Sequence, residues 1–189
     1  GAEDCIICTT GMAAGTMVYL TYLSQGDHLI LFHDIYGAHY KVSLILERMG
    51  VEITWLDASL GDEVARYVKP NTKMILCETP SNPLCKVVEI ESIAKVAKEA
   101  GALFVVDNTF ATPYHQKPLE LGADLVLHSA TKGLGGHNDL MAGALAGSKE
   151  HYNNLWFTRQ AIGTTLDAYS ASLLERGLKT FNLRARKMA

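Results

Sequence analysis

Ala102-Leu-Phe-Val-Val-Asp107 and Leu121-Gly-Ala-Asp-Leu-Val-Leu-His-Ser-Ala-Thr-Lys132 decide the fold of this chain. Each is a short apolar run that stops on groups able to do chemistry: a carboxylate in one, two hydroxyls and an amine in the other. Apolar runs of this length, separated by longer amphipathic stretches, predict β-α units around a parallel sheet with helices on both faces. The rhythm extends in both directions. Upstream, His28–Phe32, Val51–Leu56 and Lys73–Cys77 read as strands, and Ala38–Met49, Asp62–Val68 and Ile90–Ala100 as helices closed by Gly50, Pro70 and Gly101. Downstream, Leu140–Gly147 reads as a strand, and Glu150–Gln160 and Asp167–Ala189 as helices, the second broken at Gly177. Asp4-Cys-Ile-Ile-Cys-Thr9 fits a strand or a buried helical segment. The hydroxyls and glycine of Thr9-Thr-Gly-Met12 mark a helix start that runs on to Leu23.

The chain has 189 residues, 48% hydrophobic and 20% charged, with a formal net charge of −3. That describes one packed domain of ordinary globular usage, and excludes disorder, collagen and coiled coil. Without a basic block there is no electrostatic footprint for nucleic acid or anionic lipid, so a small ligand is expected. No apolar run reaches membrane-spanning length and the first residues lack a signal-peptide pattern, so a cytoplasmic location is expected. Cys5, Cys8, Cys77 and Cys85 sit in or beside apolar runs and are expected as free thiols. A first residue that is not Met, and an end inside a basic helical pattern, lead us to expect a piece of something longer.

Ligands of open α/β sheets bind beyond the carboxyl ends of the strands. Asp107, Glu78 and the Ser129-Ala-Thr131-Lys132 run all follow apolar strands, so neighbouring strands would turn a carboxylate and an amine into one crevice. A third member is Gly11-Met12, where free N–H groups at a helix start favour a phosphate. Each feature alone has an ordinary explanation. Asp107 would serve as a turn or capping carboxylate, Lys132 as a solvated loop residue, Tyr36 as an aromatic packed on the sheet, and Asn82-Pro83 as a turn.

Together the motifs Thr10-Gly-Met-Ala, Asp34-Ile-Tyr-Gly, Glu78-Thr-Pro-Ser-Asn-Pro83, Val106-Asp-Asn-Thr-Phe-Ala-Thr-Pro113, Leu121–Lys132 and Gly136-His-Asn-Asp139 resemble the pyridoxal-phosphate enzymes of cysteine and methionine metabolism. This group comprises cystathionine γ-synthases, cystathionine lyases, methionine γ-lyases and O-acylhomoserine sulfhydrylases. The resemblance covers essentially the whole chain. It implies an aspartate-aminotransferase-like (fold type I) large domain and pyridoxal 5'-phosphate as cofactor. Lys132 becomes the Schiff-base lysine, and Ser129, Thr131 and the amides of Gly11 and Met12 the phosphate site. Asp107 pairs with the pyridine nitrogen and keeps it protonated, sustaining the electron sink. Tyr36 stacks on the ring and takes part in proton transfer, and Asn82 bonds the ring's 3-hydroxyl oxygen. Lys132, once freed by substrate, serves as the base that moves protons.

The resemblance further implies a homo-oligomer of the tetramer type acting on a small amino acid. Residues 1–189 then form the large domain alone, without the N-terminal arm or the C-terminal domain that grips the substrate carboxylate. Methionine γ-lyases tend to carry a Cys two residues after the stacking Tyr, where this chain has Ala38. The run Phe110-Ala-Thr-Pro with Gln116-Lys-Pro-Leu-Glu-Leu-Gly122 is similar to cystathionine γ-synthases, which favours γ-replacement on an activated homoserine over the lyase and sulfhydrylase alternatives.

Other classes are weaker. Gly133-Leu-Gly-Gly136 lacks the third glycine of a dinucleotide fingerprint, so a nicotinamide enzyme is disfavoured. Cys5 and Cys8 have the spacing of a redox pair, but positions three apart on a strand face opposite ways, and structural burial is expected. His137 and Asp139 are too few for a metal, and no metal site is expected. A non-catalytic relative that kept the fold has no need of Lys132, Asp107, Ser129, Thr131 and Tyr36 together.

Overall fold

A computed structural model describes residues 1–188. Its strands are β1 (Asp4–Cys8), β2 (His28–Phe32), β3 (Glu52–Leu56), β4 (Thr72–Glu78), β5 (Leu103–Asp107), β6 (Leu125–Ser129) and β7 (Gly143–Gly147). Between and after them lie the helices α1 (Gly11–Tyr22), α2 (Ala38–Arg48), α3 (Ile90–Ala100), α4 (Thr112–His115), α5 (Lys149–Ile162), α6 (Ala168–Lys179) and α7 (Phe181–Met188). The strands form one seven-stranded sheet in the order β1-β7-β6-β5-β4-β2-β3. Only β7 runs against its neighbours, so the remaining carboxyl ends reach one edge.

Strand side chains alternate between faces, and here both faces are buried. On one side Leu29, Leu31, Met74, Leu76, Val105, Leu125 and Leu127 pack with Met17, Val18 and Tyr19 of α1 and Leu155 of α5. On the other, Ile30, Phe32, Ile75, Cys77, Phe104 and Val106 pack with Ile93, Ala94 and Ala97 of α3. This is the layered α/β architecture expected, a mostly parallel sheet with helices on both faces.

The elements follow the expected boundaries except at a few places, each with a local cause. Residues 58–67 form a 3-10 helix that starts early, because Asp57 caps it by accepting from Ser59 N–H (2.8 Å) and Ser59 Oγ (2.6 Å). The last strand begins at Gly143 rather than Leu140. Ala142 is drawn off the ladder by Thr131, whose hydroxyl accepts from the Ala142 N–H and donates to its carbonyl. The ambiguous run at the start is a strand, with Ile6 and Cys8 inward and Cys5 and Ile7 outward. Cys5 is therefore exposed, which corrects the expected burial, whereas Cys8 is fully buried and all four thiols are free. The helical break falls at Thr180, not at Gly177, which is buried inside α6. Ala189 lies outside the described residues. Among those described, no helix is long and apolar enough to cross a membrane.

Candidate active site

Parallel pairing brings the candidate residues to one edge of the sheet. Glu78 and Asp107 are register partners at the ends of β4 and β5, and β5 pairs in turn with β6, which ends at Ser129. Asp107 is 5% exposed. Its Oδ1 accepts from the Thr109 N–H at 3.0 Å and from the Thr109 hydroxyl at 2.5 Å. The same hydroxyl accepts from the Ser129 N–H at 2.8 Å, so Thr109 ties the ends of β5 and β6 together. Burial pushes the Asp107 carboxyl up to about 6, against the pull of the Thr109 hydrogen bonds.

Helix α1 begins at this edge. Thr10 caps it, accepting from the Ala13 N–H at 2.9 Å. The amides of Gly11 and Met12 lie ahead of the first intrahelical donor, Ala14, and have no hydrogen-bond partner among the described residues, at the positive end of the helix dipole. A Cβ at position 11 would stand 2.9 Å from Ser129 Cβ and 3.2 Å from Ser129 Oγ. Glycine thus lets the helix start and the Ser129 hydroxyl share one small cradle.

Lys132 follows β6 in a tight turn, its N–H donating to the Ser129 carbonyl and its own carbonyl accepting from Gly136. Its side chain is exposed and, among the described residues, makes no ion pair. Thr131 is less free than expected, since its hydroxyl is engaged by Ala142. A phosphate would have to take over the donated proton.

Tyr36 and Asn82 lie on loops after β2 and β4, one ring half exposed and the other side chain half buried. The Tyr36 N–H donates to Glu78 Oε2 at 2.7 Å, anchoring its loop to the strand end. Lys86 joins the two loops, its Nζ 2.8 Å from Asp34 Oδ2, and also reaches the cap of the 3-10 helix, 3.1 Å from Asp57 Oδ2. The Ser81 hydroxyl and carbonyl accept from the Lys86 and Cys85 amides and fold the Asn82 loop back on itself.

In the sequence Glu78 stands at a strand end with no task, and neither Thr109 nor Lys86 is singled out. A hydroxyl two residues after Asp107 is an Asx-turn signal, so Thr109 was detectable. Lys86 acts over long sequence separations that carry no local signature. His137 and Asp139, the discounted metal candidates, part company: the His137 ring bonds the Gly135 carbonyl, and Asp139 pairs with Arg176. Among the described residues no cluster of His, Cys, Asp and Glu could hold a metal.

The layered sheet and the polar edge define a cofactor-binding α/β domain of the fold type I class. Residues 1–189 match the family described as Cys/Met metabolism PLP-dependent enzyme, and the chain belongs to that family. It is 48% identical over 178 residues to cystathionine gamma-lyase of Bacillus subtilis (strain 168), covering 93% of this chain and 47% of that protein. It is 45% identical to the cystathionine gamma-synthase/O-acetylhomoserine (thiol)-lyase of the same organism, covering 95% and 48%. The solved structure of metB from Corynebacterium glutamicum superposes with a TM-score of 0.93 at 40% identity, over 97% of this chain and 48% of that one. The chain thus spans about half the length of the relatives it matches.

The family is pyridoxal-phosphate dependent. The edge has the chemistry such a molecule needs: a donor cradle at Gly11, Met12 and Ser129 for an anion, a buried carboxylate at Asp107 for a protonated ring nitrogen, and an exposed amine at Lys132.

Proposed function

We propose that this chain is the cofactor-binding large domain of a cytoplasmic, homo-oligomeric transsulfuration enzyme that acts on homoserine-derived or sulfur amino acids, its reaction being γ-replacement of the cystathionine γ-synthase kind. The observation that carries this reading is the shared edge. Buried Asp107 is bridged by Thr109 to Ser129, and Ser129 lies where a side chain at Gly11, the helix start, would stand.

In this reading Gly11, Met12, Ser129 and Thr131 hold the phosphate. Asp107 holds a proton on the pyridine nitrogen, Asn82 bonds the 3-hydroxyl oxygen, and Tyr36 covers the ring. When bound, pyridoxal phosphate supplies a sink for the electrons released at the substrate's α-carbon. Lys132 would anchor the cofactor, and its amine would be the base that moves protons between the α-carbon and its neighbours. Tyr36 would take part in the proton transfer. The exposed Lys132 amine and the anchored Tyr36 loop suit these tasks, and the Phe110–Pro113 and Gln116–Gly122 runs favour γ-replacement. Gamma-elimination is the second reading, favoured by the 48% identity to a cystathionine gamma-lyase.

Visible absorbance of the full-length protein tests the cofactor assignment. A band that disappears in Lys132→Ala is expected; a band that survives, or a protein that takes up no pyridoxal phosphate, overturns it. Single-turnover assays with O-acylhomoserine, cystathionine and methionine then decide the reaction. Cystathionine formed from O-acylhomoserine and cysteine, faster than keto acid from any of the three, is the result expected of γ-replacement.

A further inference from the structure

We propose that His39, held by Tyr19, is a positioning residue for Asp107: a neutral imidazole that turns an N–H toward the carboxylate and keeps it ionised and facing the cofactor's ring nitrogen. This rests on the reading that Asp107 meets that nitrogen.

The geometry is a buried chain of three groups. Tyr19 on α1 is fully buried and His39 on α2 is 1% exposed. The Tyr19 hydroxyl lies 2.7 Å from His39 Nδ1, with the rings edge-on at 88° and their centroids 5.8 Å apart. On the far side of the imidazole, Nε2 stands 4.0 Å from Asp107 Oδ2. That is the carboxylate oxygen Thr109 leaves free, since both Thr109 contacts go to Oδ1.

The protonation pattern follows from what each group has available. Among the described residues the Tyr19 hydroxyl has no polar partner other than Nδ1. A fully buried O–H left without an acceptor is costly, so the phenol donates and Nδ1 accepts. Burial holds the phenol well above its ordinary range, which keeps its proton in place. The single proton of the neutral ring then sits on Nε2, toward Asp107. Burial also pushes the imidazole down to about 4, so what reaches the carboxylate at neutral pH is an N–H dipole rather than a cation.

A dipole suits the task better than a charge. A cation beside Asp107 would compete with the protonated ring nitrogen for the same carboxylate, whereas a dipole in a low-dielectric interior favours the ionised acid and leaves its charge for the cofactor. The room for the ring is built in. A Cβ at Gly15 of α1 would lie 2.9 Å from His39 Cε1, so the glycine is the complement of the imidazole.

The test uses full-length holoenzyme loaded with pyridoxal phosphate labelled with 15N at the ring nitrogen, whose chemical shift reports its protonation directly. In His39→Leu the signal is expected to move toward the unprotonated position, with cofactor dissociation rising about threefold to fivefold, less than the loss of a full charge-assisted hydrogen bond because Nε2 stands 4.0 Å from Oδ2. His39→Gln, which keeps an amide donor, restores most of the shift. Tyr19→Phe removes one oxygen and frees the tautomer, so it moves the signal in the same direction even if His39→Leu fails to fold. A shift unchanged in Tyr19→Phe and in every folded His39 variant overturns the proposal. That failure is distinct from failure of the underlying reading, in which the wild-type protein would load no cofactor or show a band indifferent to Lys132→Ala.

Discussion

Glu78 and Asp107 stand opposite each other at the carboxyl ends of adjacent parallel strands, both at most 5% exposed. Like carboxylates this close and this dry resist being ionised together. Burial, and then the charge of Asp107, push Glu78 up to about 8, against the pull of the Tyr36 N–H. A carboxyl raised in the fold stabilises the protein fully below its unfolded value, near 4.5 for Glu78, and that contribution is lost as pH rises toward about 8. The cofactor-free protein is therefore expected to lose stability across that window. Glu78→Gln keeps the acceptor for Tyr36 but cannot ionise, so its melting temperature should exceed wild type at pH 8 and not at pH 5. Thermal unfolding at the two pH values checks this; parallel pH profiles for variant and wild type would defeat it.

The cradle at Gly11 makes a second prediction. Gly11→Ala places a methyl group within 3.2 Å of the Ser129 backbone and hydroxyl. Overpacking of this kind costs about 1–3 kcal/mol. The neighbouring atoms that can yield are those proposed to hold the phosphate, so the cost should fall on cofactor binding, weakening it about tenfold or more. Absorbance titration of the variant with pyridoxal phosphate measures it. Affinity equal to wild type would remove Gly11 from the phosphate site.

Lys86 touches no proposed cofactor contact directly, yet it links the loop that carries Asn82 to the loop that carries Tyr36 through Asp34, and to the start of the 3-10 helix through Asp57. Its amine is partly exposed, so the ion pairs add little to global stability. Their effect should be local. Lys86→Met is expected to lower the melting temperature only slightly while raising substrate KM several-fold, because the ring-covering loop loses its tether. A KM at the wild-type value, measured alongside thermal unfolding, would show that Glu78 alone suffices to hold Tyr36.

Much of this edge was legible in the sequence because a strand that is apolar throughout and then stops on Asp107 or Ser129 announces both its burial and its carboxyl end. The direction of β7 was not legible. Gly-Ala-Leu-Ala-Gly147 reads the same along a parallel or an antiparallel ladder, and only its pairing with β1 and β6 reverses it. Nor was the early 3-10 turn, which depends on one Asp57 side chain winning over helical spacing. His39 is illegible in the sequence for a different reason. A histidine in an amphipathic helix looks unremarkable until the fold sets it against Gly15 from another helix and Asp107 from a strand.

Gly177 shows how a correct residue can be read for the wrong cause. A glycine in a helical pattern suggests a break, yet α6 continues through it to Lys179. What the position requires is close approach, since a Cβ there would collide with the Gly135 carbonyl oxygen, in the turn that follows Lys132. By helix propensity alone Gly177→Ala should stabilise α6 by about 1 kcal/mol. Contact with backbone reverses the sign, because a carbonyl cannot swing aside as a side chain can, and the cost should reach about 1–3 kcal/mol or more. The displaced turn bears on Lys132, so the visible cofactor band should weaken along with the melting temperature. Thermal unfolding and absorbance of Gly177→Ala measure both, and a stabilised variant with a full band would mean that α6 can shift away from Gly135 without disturbing the lysine.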